Sequence, residues 1–381
     1  MVRCGEAAAP GLYVHIPFCL RKCAYCDFAS GVYPSGMQAP YLDALARELA
    51  ARRAELPAPF ATVYVGGGSP SSLDDAAWAR LRDIVAAAVA PGGCLECTFE
   101  MNPSQTTAAK LSRIEGVATR VSLGAQTFAP ELRRTLGREP ADPAPIERAA
   151  ALIGGRFRLN LDLMHSIPGQ SLAMAAADID RAAALGAGHV SAYALTIEEE
   201  TPLGAAVARG EVVVPDEDVQ VEMLRAARRR LAAHGLVQYE ISNFARPGEE
   251  CLHNLATWAG CEYLGIGAAA CSYIGGERSR NEPDAARYIA RMAAEGGAVC
   301  ERERLDGRRR AGELAMLALR TRAGIDVAAF AARTGFDPRV LFAGALRAHS
   351  AAGLLEVGPE RIRLTEEGMD LANCVMEDFL S

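Results

Sequence analysis

The chain has 381 residues, half of them hydrophobic, and a formal net charge of -7 at neutral pH. This length favours one large domain of roughly 250 residues followed by a smaller one. The negative charge disfavours a broad nucleic-acid-binding surface. No apolar run approaches the roughly 18 residues that cross a bilayer, and no leader-like segment opens the chain, so a cytoplasmic protein is expected.

The first half of the chain predicts a parallel sheet. From residue 12 to residue 196, short apolar segments alternate with helical patterns, which is typical of βα units. Strands are predicted at 12–16 and 61–65. The helices that follow them carry apolar residues at spacings of three and four, such as Leu42, Leu45 and Leu49. The sequence therefore predicts an α/β fold.

The later strands of this region carry polar residues on one face only. Alternate residues of a strand face opposite sides, and the polar face holds Glu100, Ser122, Gln126, Asn160, Asp162, Ser191 and Tyr193. Ordinary eight-stranded barrels fill their interior with branched apolar side chains. A polar inner face therefore predicts a lumen that holds a ligand, and the alternative is a sheet with one wet face.

Three regions follow from these patterns. Residues 1–245 are predicted to form the core, closed by a helix at 216–234 and a strand at 238–242. Residues 246–300 are glycine-rich and predicted as an irregular connecting segment. Residues 301–381 are helical and end in a hairpin across Gly358, which suggests a small winged-helix-like domain.

Eleven cysteines in a chain expected to be cytosolic cannot form a disulfide framework, so a tight group of them favours metal ligation. Cys19, Cys23 and Cys26 form such a group directly after the first strand. A loop of this spacing can bind three irons of a [4Fe-4S] cluster and leave the fourth open. A zinc site completed by His15 or Asp27 is the alternative, but this spacing is unusual for zinc fingers.

The Cys-x3-Cys-x2-Cys motif after a first strand resembles the radical S-adenosylmethionine (SAM) superfamily. The segment Gly66-Gly-Gly-Ser-Pro70, after the second strand, resembles the motif of that family which binds the SAM amino group. The resemblance implies a partial (β/α) barrel of the radical SAM type. It also implies that the open iron chelates SAM and that electron transfer cleaves SAM to a 5′-deoxyadenosyl radical.

Within the superfamily, the chain resembles the branch that contains oxygen-independent coproporphyrinogen III oxidase and the heme chaperones of the HemW type. The segments that carry this resemblance include Tyr13-Val-His-Ile-Pro-Phe-Cys19, Glu100-Met-Asn-Pro103, Arg120-Val-Ser-Leu-Gly-Ala-Gln126 and Tyr239-Glu-Ile-Ser-Asn-Phe244. The resemblance implies that the SAM site is lined by Tyr13, Tyr25, Gly67, Gly68, Ser69, Glu100, Gln126, Arg138 and Asp162, with Glu100 on the ribose. The alternative for Glu100, Gln126 and Asp162 is a buried polar group satisfied by the barrel itself.

Two departures from the oxidases favour the chaperone side of the branch. Phe28 stands where the oxidases have a fourth cysteine, and only about a dozen residues precede the first strand. The segment His253-Asn-Leu-Ala-Thr-Trp258 resembles the His-Asn-x-x-Tyr-Trp motif of the branch, so His253 is a candidate axial ligand of heme. Thr257, Pro140 and Cys271 depart from the branch pattern, and a Cys271 thiolate is the alternative heme ligand.

The sequence thus predicts a protein of the HemW type that binds a [4Fe-4S] cluster, SAM and heme. Its expected partners are acceptor hemoproteins, in solution or at a membrane, and an electron donor for the cluster, whereas nucleic acid is not expected. The alternatives are an oxygen-independent coproporphyrinogen III dehydrogenase, a related radical SAM methyltransferase, and a zinc-stabilised module that binds nucleic acid. Two cysteine groups complete the predictions: Cys251, Cys261 and Cys271 as buried residues or a second metal site, and Cys94 and Cys97 on opposite faces of a strand.

Overall fold

The computed structural model describes residues 9–56, 59–89 and 93–380. In these residues the core is built on a twelve-stranded sheet. Its strands are β1 (Gly11–Ile16), β2 (Thr62–Gly67), β3 (Glu96–Met101), β4 (Arg120–Gln126), β5 (Arg158–His165), β6 (His189–Ala194), β7 (Val237–Gln238), β8 (Asn243–Ala245), β9 (Tyr263–Ile266), β10 (Cys271–Ile274), β11 (Glu277–Asn281) and β12 (Val299–Arg304). Their order in the sheet is β12-β11-β10-β9-β1-β2-β3-β4-β5-β6-β8-β7, so the barrel is open between β12 and β7.

Strands β9 and β1 to β6 are parallel neighbours, as βα units require. The core helices are α1 (Gln38–Arg52), α2 (Asp75–Ala88), α3 (Ala108–Ile114), α4 (Pro130–Thr135), α5 (Ala144–Ile153), α6 (Leu172–Ala184), α7 (Pro202–Ala208), α8 (Glu217–Ala233), α9 (Leu252–Trp258) and α10 (Ala285–Ala294). Short 3-10 helices lie at Ser35–Met37, Arg53–Glu55, Pro70–Ser72 and Pro103–Gln105. The α/β core predicted from the alternating pattern is confirmed.

The alternation of side chains along the strands separates the core from the lumen. On β3, Phe99 is fully buried and its ring lies edge-on to Trp78 of α2, with the centroids 5.6 Å apart. Glu100, the next residue, points to the opposite side. The parallel register sets Ser122 opposite Asn160, and Asp162 opposite Ser191. Polar residues of neighbouring strands therefore share one inner face, as the sequence predicted.

The segment 246–300 was predicted to be irregular, and this was wrong. It contributes α9, α10 and strands β9 to β11, and β12 begins at its end, so that the sheet extends beyond β1. Strands β11 and β12 lie at the edge, and their cross-strand pairs are charged, such as Arg278 with Glu303 and Arg280 with Glu301. An edge of this kind lacks the apolar alternation by which a strand is recognised, and charge is typical of protected edges.

Two smaller predictions also fail locally. Of the strand expected at 238–242, only Gln238 lies in a strand, β7; the rest forms the connection to β8, in which the Ser242 N–H donates to Glu240 Oε1 at 3.1 Å. Cys94 lies before β3 begins, and its thiol donates to the Glu96 carbonyl at 3.3 Å. Strand alternation therefore does not apply to Cys94, and its side chain contacts that of Cys97 instead of facing the opposite side.

A separate small core forms after residue 306. Its helices are α11 (Gly307–Leu319), α12 (Val327–Thr334), α13 (Pro338–Leu341), α14 (Ala343–Ala351), α15 (Glu366–Asp370) and α16 (Ala372–Glu377). Its strands are β13 (Ile325–Asp326), β14 (Leu355–Val357) and β15 (Arg361–Leu364). The predicted hairpin is present, since β14 pairs antiparallel with β15 and the Gly358 N–H donates to the Arg361 carbonyl at 2.8 Å. Across both cores, no helix in the described ranges is long and apolar enough to span a membrane.

Candidate functional site

The carboxyl ends of β1 to β6 surround a cavity of about 780 Å³. Three parts of the chain line it: the cysteine loop after β1, the glycine loop after β2, and the polar inner face of β3 to β6. Ligands of open α/β sheets bind at the carboxyl ends of the strands, and this volume lies within the range of sites for drug-sized ligands. The cavity is therefore the candidate functional site.

The cysteine loop is held in place by its own backbone and by the side chain of Lys22. The Cys19 N–H donates to the Gly31 carbonyl at 2.9 Å, and the Gly31 N–H donates to the Pro17 carbonyl at 2.9 Å. Lys22 Nζ donates to the carbonyls of Phe28 and Ser30, each at 3.1 Å. These bonds close the loop, and all three of its cysteines face the cavity.

The loop fits an iron–sulfur cluster better than one zinc ion. In the part of the chain that the structure describes, no three His, Cys, Asp or Glu side chains are grouped to hold a single metal ion. Ligands of one zinc ion must converge on it, whereas each thiolate of a [4Fe-4S] cluster binds a different iron. His15 does not face the cysteines, because its Nδ1 accepts from the Tyr13 hydroxyl at 3.1 Å and its Nε2 donates to the Ala29 carbonyl at 2.9 Å.

A second set of three cysteines, which recur every ten residues, was considered as a metal site. Cys251, Cys261 and Cys271 do not form a group for one metal ion among the described residues. Cys251 is buried, and its thiol donates to Glu96 Oε1 at 3.3 Å. The structure therefore gives no support to a second metal site there.

The glycine loop packs directly against the cysteine loop. A Cβ on Gly68 would lie 2.9 Å from the Phe18 carbonyl oxygen and 3.0 Å from Cys19 Sγ, which is too close for any side chain. A Cβ on Gly66 would lie 2.7 Å from the Glu100 carboxylate. Glycine is therefore needed at Gly68, whose neighbours are backbone atoms and Cys19 Sγ, whereas a side chain at Gly66 would have to displace the Glu100 carboxylate. The backbone of this loop can approach a ligand in the cavity.

Glu100 presents a carboxyl group with a perturbed pKa to the cavity. The Tyr64 hydroxyl donates to its Oε1 at 2.9 Å, and the Gly67 N–H donates to its Oε2 at 3.2 Å. Burial raises the pKa of Glu100 to about 7, and the negative charge of Asp162 adds to the effect. This acceptor therefore changes its charge near neutral pH.

Asp162 and Arg138 place opposite charges around the same space. Asp162 accepts from Asn160 Nδ2 at 2.8 Å and from Ser122 Oγ at 3.2 Å, and burial raises its pKa. Arg138 donates to the Gly124 carbonyl and has its Nη1 3.7 Å from Cys23 Sγ. The cavity thus has a cation beside the cysteine loop and carboxyl groups deeper in the lumen, which suits a ligand that carries both charges.

All but one of the predicted SAM-site residues line the cavity. Those that do are Tyr25, Gly67, Gly68, Ser69, Glu100, Gln126, Arg138 and Asp162. The exception is Tyr13, whose ring stacks on Tyr64 with centroids 6.3 Å apart and whose hydroxyl bonds to His15. The lining also includes Asn102, Gln105, Thr196, Glu198, Ser242 and Asn243, which the sequence did not single out. The available signal was that Asn102, Ser242 and Asn243 stand in segments that carry the family resemblance.

His253 lies at the other end of the barrel. Its imidazole Nδ1 is 2.9 Å from Thr62 Oγ1, and its backbone N–H donates to Glu96 Oε1 at 3.1 Å. Thr62 and Glu96 are the first residues of β2 and β3, so the imidazole sits at the amino ends of the strands. Only 7% of His253 is exposed, and it does not line the cavity. His253 as an axial ligand of heme therefore stays a prediction, at a buried position away from the cavity.

A buried ion pair lies next to His253, at the amino ends of the strands. Arg120 Nη2 lies 3.1 Å from Glu96 Oε2, and both side chains are almost fully buried. The same nitrogen donates to the carbonyls of Glu249 and Glu250 at 2.8 and 3.1 Å. Since the charges are matched and bonded to the backbone before α9, this network fixes α9 across the amino ends of the strands.

Comparisons with known proteins agree with this geometry. The radical SAM superfamily profile matches residues 13–182, and the HemN C-terminal domain profile matches residues 305–371. The heme chaperone HemW of Bacillus subtilis is 34% identical, over 97% of this chain and 98% of the relative. The heme chaperone HemW of Mycobacterium tuberculosis is 37% identical, over 97% of this chain and 94% of the relative. The solved structure of the coproporphyrinogen III oxidase HemN of Escherichia coli, a radical SAM enzyme, shares the fold, with a TM-score of 0.85 and 22% identity over 98% of this chain and 90% of that one.

Proposed function

Because the chain belongs to the HemW family within the radical SAM superfamily, we propose that it binds a [4Fe-4S] cluster, SAM and heme and delivers heme to acceptor hemoproteins. The observation that carries the proposal is the cavity in which the three cysteines meet the predicted SAM residues. The relatives that match from end to end are named heme chaperones, whereas the oxidase supports the fold alone at 22% identity.

The residues present fit the cluster and SAM. Cys19, Cys23 and Cys26 would supply the three thiolates, and a cluster held there would supply the reducing electron for SAM. The close packing at Gly68 leaves the backbone of the glycine loop free to approach the ligand. Glu100, with Tyr64 and Gly67 holding it in place, would accept hydrogen bonds from the ribose hydroxyls.

Heme binding follows from the family and not from His253. The imidazole of His253 is buried against Thr62 at the closed end of the barrel, so we assign it to the support of α9 rather than to the heme iron. Cys271, the alternative thiolate, lies on β10 outside the residues that line the cavity. Phe28, in contrast, lies at the cavity itself where the oxidases have a fourth cysteine.

The proposed partners are an electron donor for the cluster and hemoproteins that receive heme, in solution or at a membrane. We place this exchange in the cytoplasm. A chaperone must release heme on contact with its acceptor, so transfer should be faster than spontaneous release. This difference separates delivery from simple storage.

Stopped-flow absorbance tests the proposal. Heme-loaded protein is mixed with the apo form of a soluble b-type cytochrome, or with membranes that carry apo-cytochromes, at increasing acceptor concentration. Excess apomyoglobin serves as a trap that measures spontaneous release. We expect the transfer rate to rise with acceptor concentration above the release rate. Transfer no faster than release with both acceptors would overturn the proposal.

A further inference from the structure

The cysteine loop exposes large apolar side chains at the mouth of the cavity. Leu20, Phe28 and Val32 are 66%, 61% and 64% exposed. Leu20 and Phe28 also line the cavity. Exposed apolar groups that cluster beside a binding site mark a surface that receives a ligand or partner. We refer to Leu20, Phe28 and Val32 as the apolar rim.

The backbone of the loop holds the rim together. Phe18 and Gly31 form a parallel bridge, and the Cys19 N–H donates to the Gly31 carbonyl at 2.9 Å. Leu20 follows Cys19 and Val32 follows Gly31, so the two side chains start from neighbouring parts of the backbone. Phe28 is held beside Lys22, whose Nζ donates to the Phe28 carbonyl at 3.1 Å. The three apolar side chains are thus part of one loop that its own hydrogen bonds have already ordered.

Two cations accompany the rim. Arg21 is 67% exposed, and its Nη1 lies 3.7 Å from Oε1 of Glu139, which is itself 59% exposed. Such a long, solvated ion pair is weak, so Arg21 can readily exchange Glu139 for the carboxylate of a ligand. Lys22 donates to the carbonyls of Phe28 and Ser30. These carbonyls carry no formal charge, so they do not neutralise the ammonium group of Lys22. The mouth of the cavity therefore combines apolar surface with two cations that a ligand can reach, beside the carboxylates of Asp27 and Glu139.

Heme matches this combination. Its macrocycle is flat and largely apolar, and its two propionates are carboxylates at one edge. We propose that heme docks on the apolar rim, with the ring against Leu20, Phe28 and Val32 and the propionates toward Arg21 and Lys22. This inference rests on the proposed heme-binding function and gives it a location above the cysteine loop. Unlike the buried His253, the apolar rim is a surface that a bulky ligand can reach.

A matched pair of double variants tests the location. Leu20→Ser with Val32→Ser removes two rim side chains, and Leu95→Ser with Val340→Ser removes the same residue types, 68% and 77% exposed, from elsewhere on the surface. Iron content is measured first, so that the cluster is known to be intact. Heme titration by Soret absorbance should then show affinity at least about tenfold weaker for the rim variant and near that of the wild type for the control.

A charge variant tests the orientation. Arg21→Gln should weaken heme binding by about threefold, as expected for an exposed ion pair. It should leave the binding of heme dimethyl ester unchanged, because the ester masks both propionates. An equal loss for heme and for the ester would overturn the assignment of the propionates.

The outcomes separate this inference from the function on which it rests. Absence of saturable heme binding by the wild type would overturn the proposed function itself. Normal heme affinity in the rim variant would overturn the docking surface alone, and so would equal losses in the rim and control variants, since heme would then adsorb to any exposed apolar group. Normal heme affinity with slower cluster reduction by a flavodoxin would assign the rim to a protein electron donor instead.

Discussion

The pH dependence of SAM binding follows from the environment of Glu100. Burial, with the charge of Asp162 beside it, raises the pKa of Glu100 to about 7. The hydrogen bonds from Tyr64 and Gly67 favour the ionised form without offsetting that burial. If the ribose hydroxyls bind the carboxylate, SAM binds the ionised form of the protein. SAM affinity should therefore increase as the pH rises through about 7.

The magnitude follows from the ionised fraction. With a pKa of about 7, Glu100 is ionised in roughly a tenth of the molecules at pH 6 and roughly nine tenths at pH 8. Apparent affinity scales with the fraction of protein in the competent form, so the Kd for SAM should fall about tenfold over this range. Glu100→Gln keeps the shape of the side chain but does not titrate, so this component should disappear.

Equilibrium dialysis of SAM with anaerobically reconstituted protein at pH 6, 7 and 8 measures the effect. The titration of SAM itself is common to all variants, so the ratio of wild-type to Glu100→Gln affinity isolates Glu100. Asp178→Asn is the matched control, because burial also raises the pKa of Asp178, to about 6, but its carboxylate accepts from the Phe128 N–H outside the cavity. The same pH dependence in Glu100→Gln as in the wild type would show that Glu100 does not control SAM binding.

Three further predictions concern the cluster cysteines, the glycine loop and the buried ion pair. Alanine at any one of the three cluster cysteines should sharply reduce iron and sulfide after anaerobic reconstitution, whereas Cys300→Ala, an exposed control, should not; about four irons per chain in all three variants would contradict the cluster assignment. Gly66→Ala should keep the cluster but weaken SAM binding in calorimetric titration, because its Cβ would meet the Glu100 carboxylate, and unchanged SAM affinity would remove Glu100 from the site. Arg120→Met should lower the free energy of unfolding by about 3–5 kcal/mol in urea titration, because it leaves Glu96 buried without its partner. A change below about 1 kcal/mol would show that the ion pair is not needed for stability.

The sequence was sufficient to predict the inner face of the barrel. Alternation along a strand is a local rule, so Glu100 and Asp162 could be placed on one side before any strand was paired. The cysteine spacing is local as well, and it predicted the loop that faces the cavity. These features agree with the structure because each depends on residues that are close in sequence.

Features that depend on distant contacts could not be predicted in this way. The motif around His253 suggested a heme ligand, but its contacts with Thr62 and Glu96 join segments far apart in the chain. The edge strands β11 and β12 carry paired charges instead of apolar alternation, so their pattern did not indicate strands. The exposure of Leu20 and Val32 likewise depends on how the cysteine loop folds back on itself.

In the function that we propose, this chain binds and delivers heme and does not decarboxylate a porphyrinogen. One anaerobically reconstituted preparation tests it most directly. One portion is titrated with heme, and another is incubated with coproporphyrinogen III, SAM and a reductant, with the Escherichia coli oxidase as the positive control. We expect saturable heme binding and no protoporphyrinogen above the SAM-free control. Steady formation of protoporphyrinogen, or the absence of saturable heme binding, would contradict it.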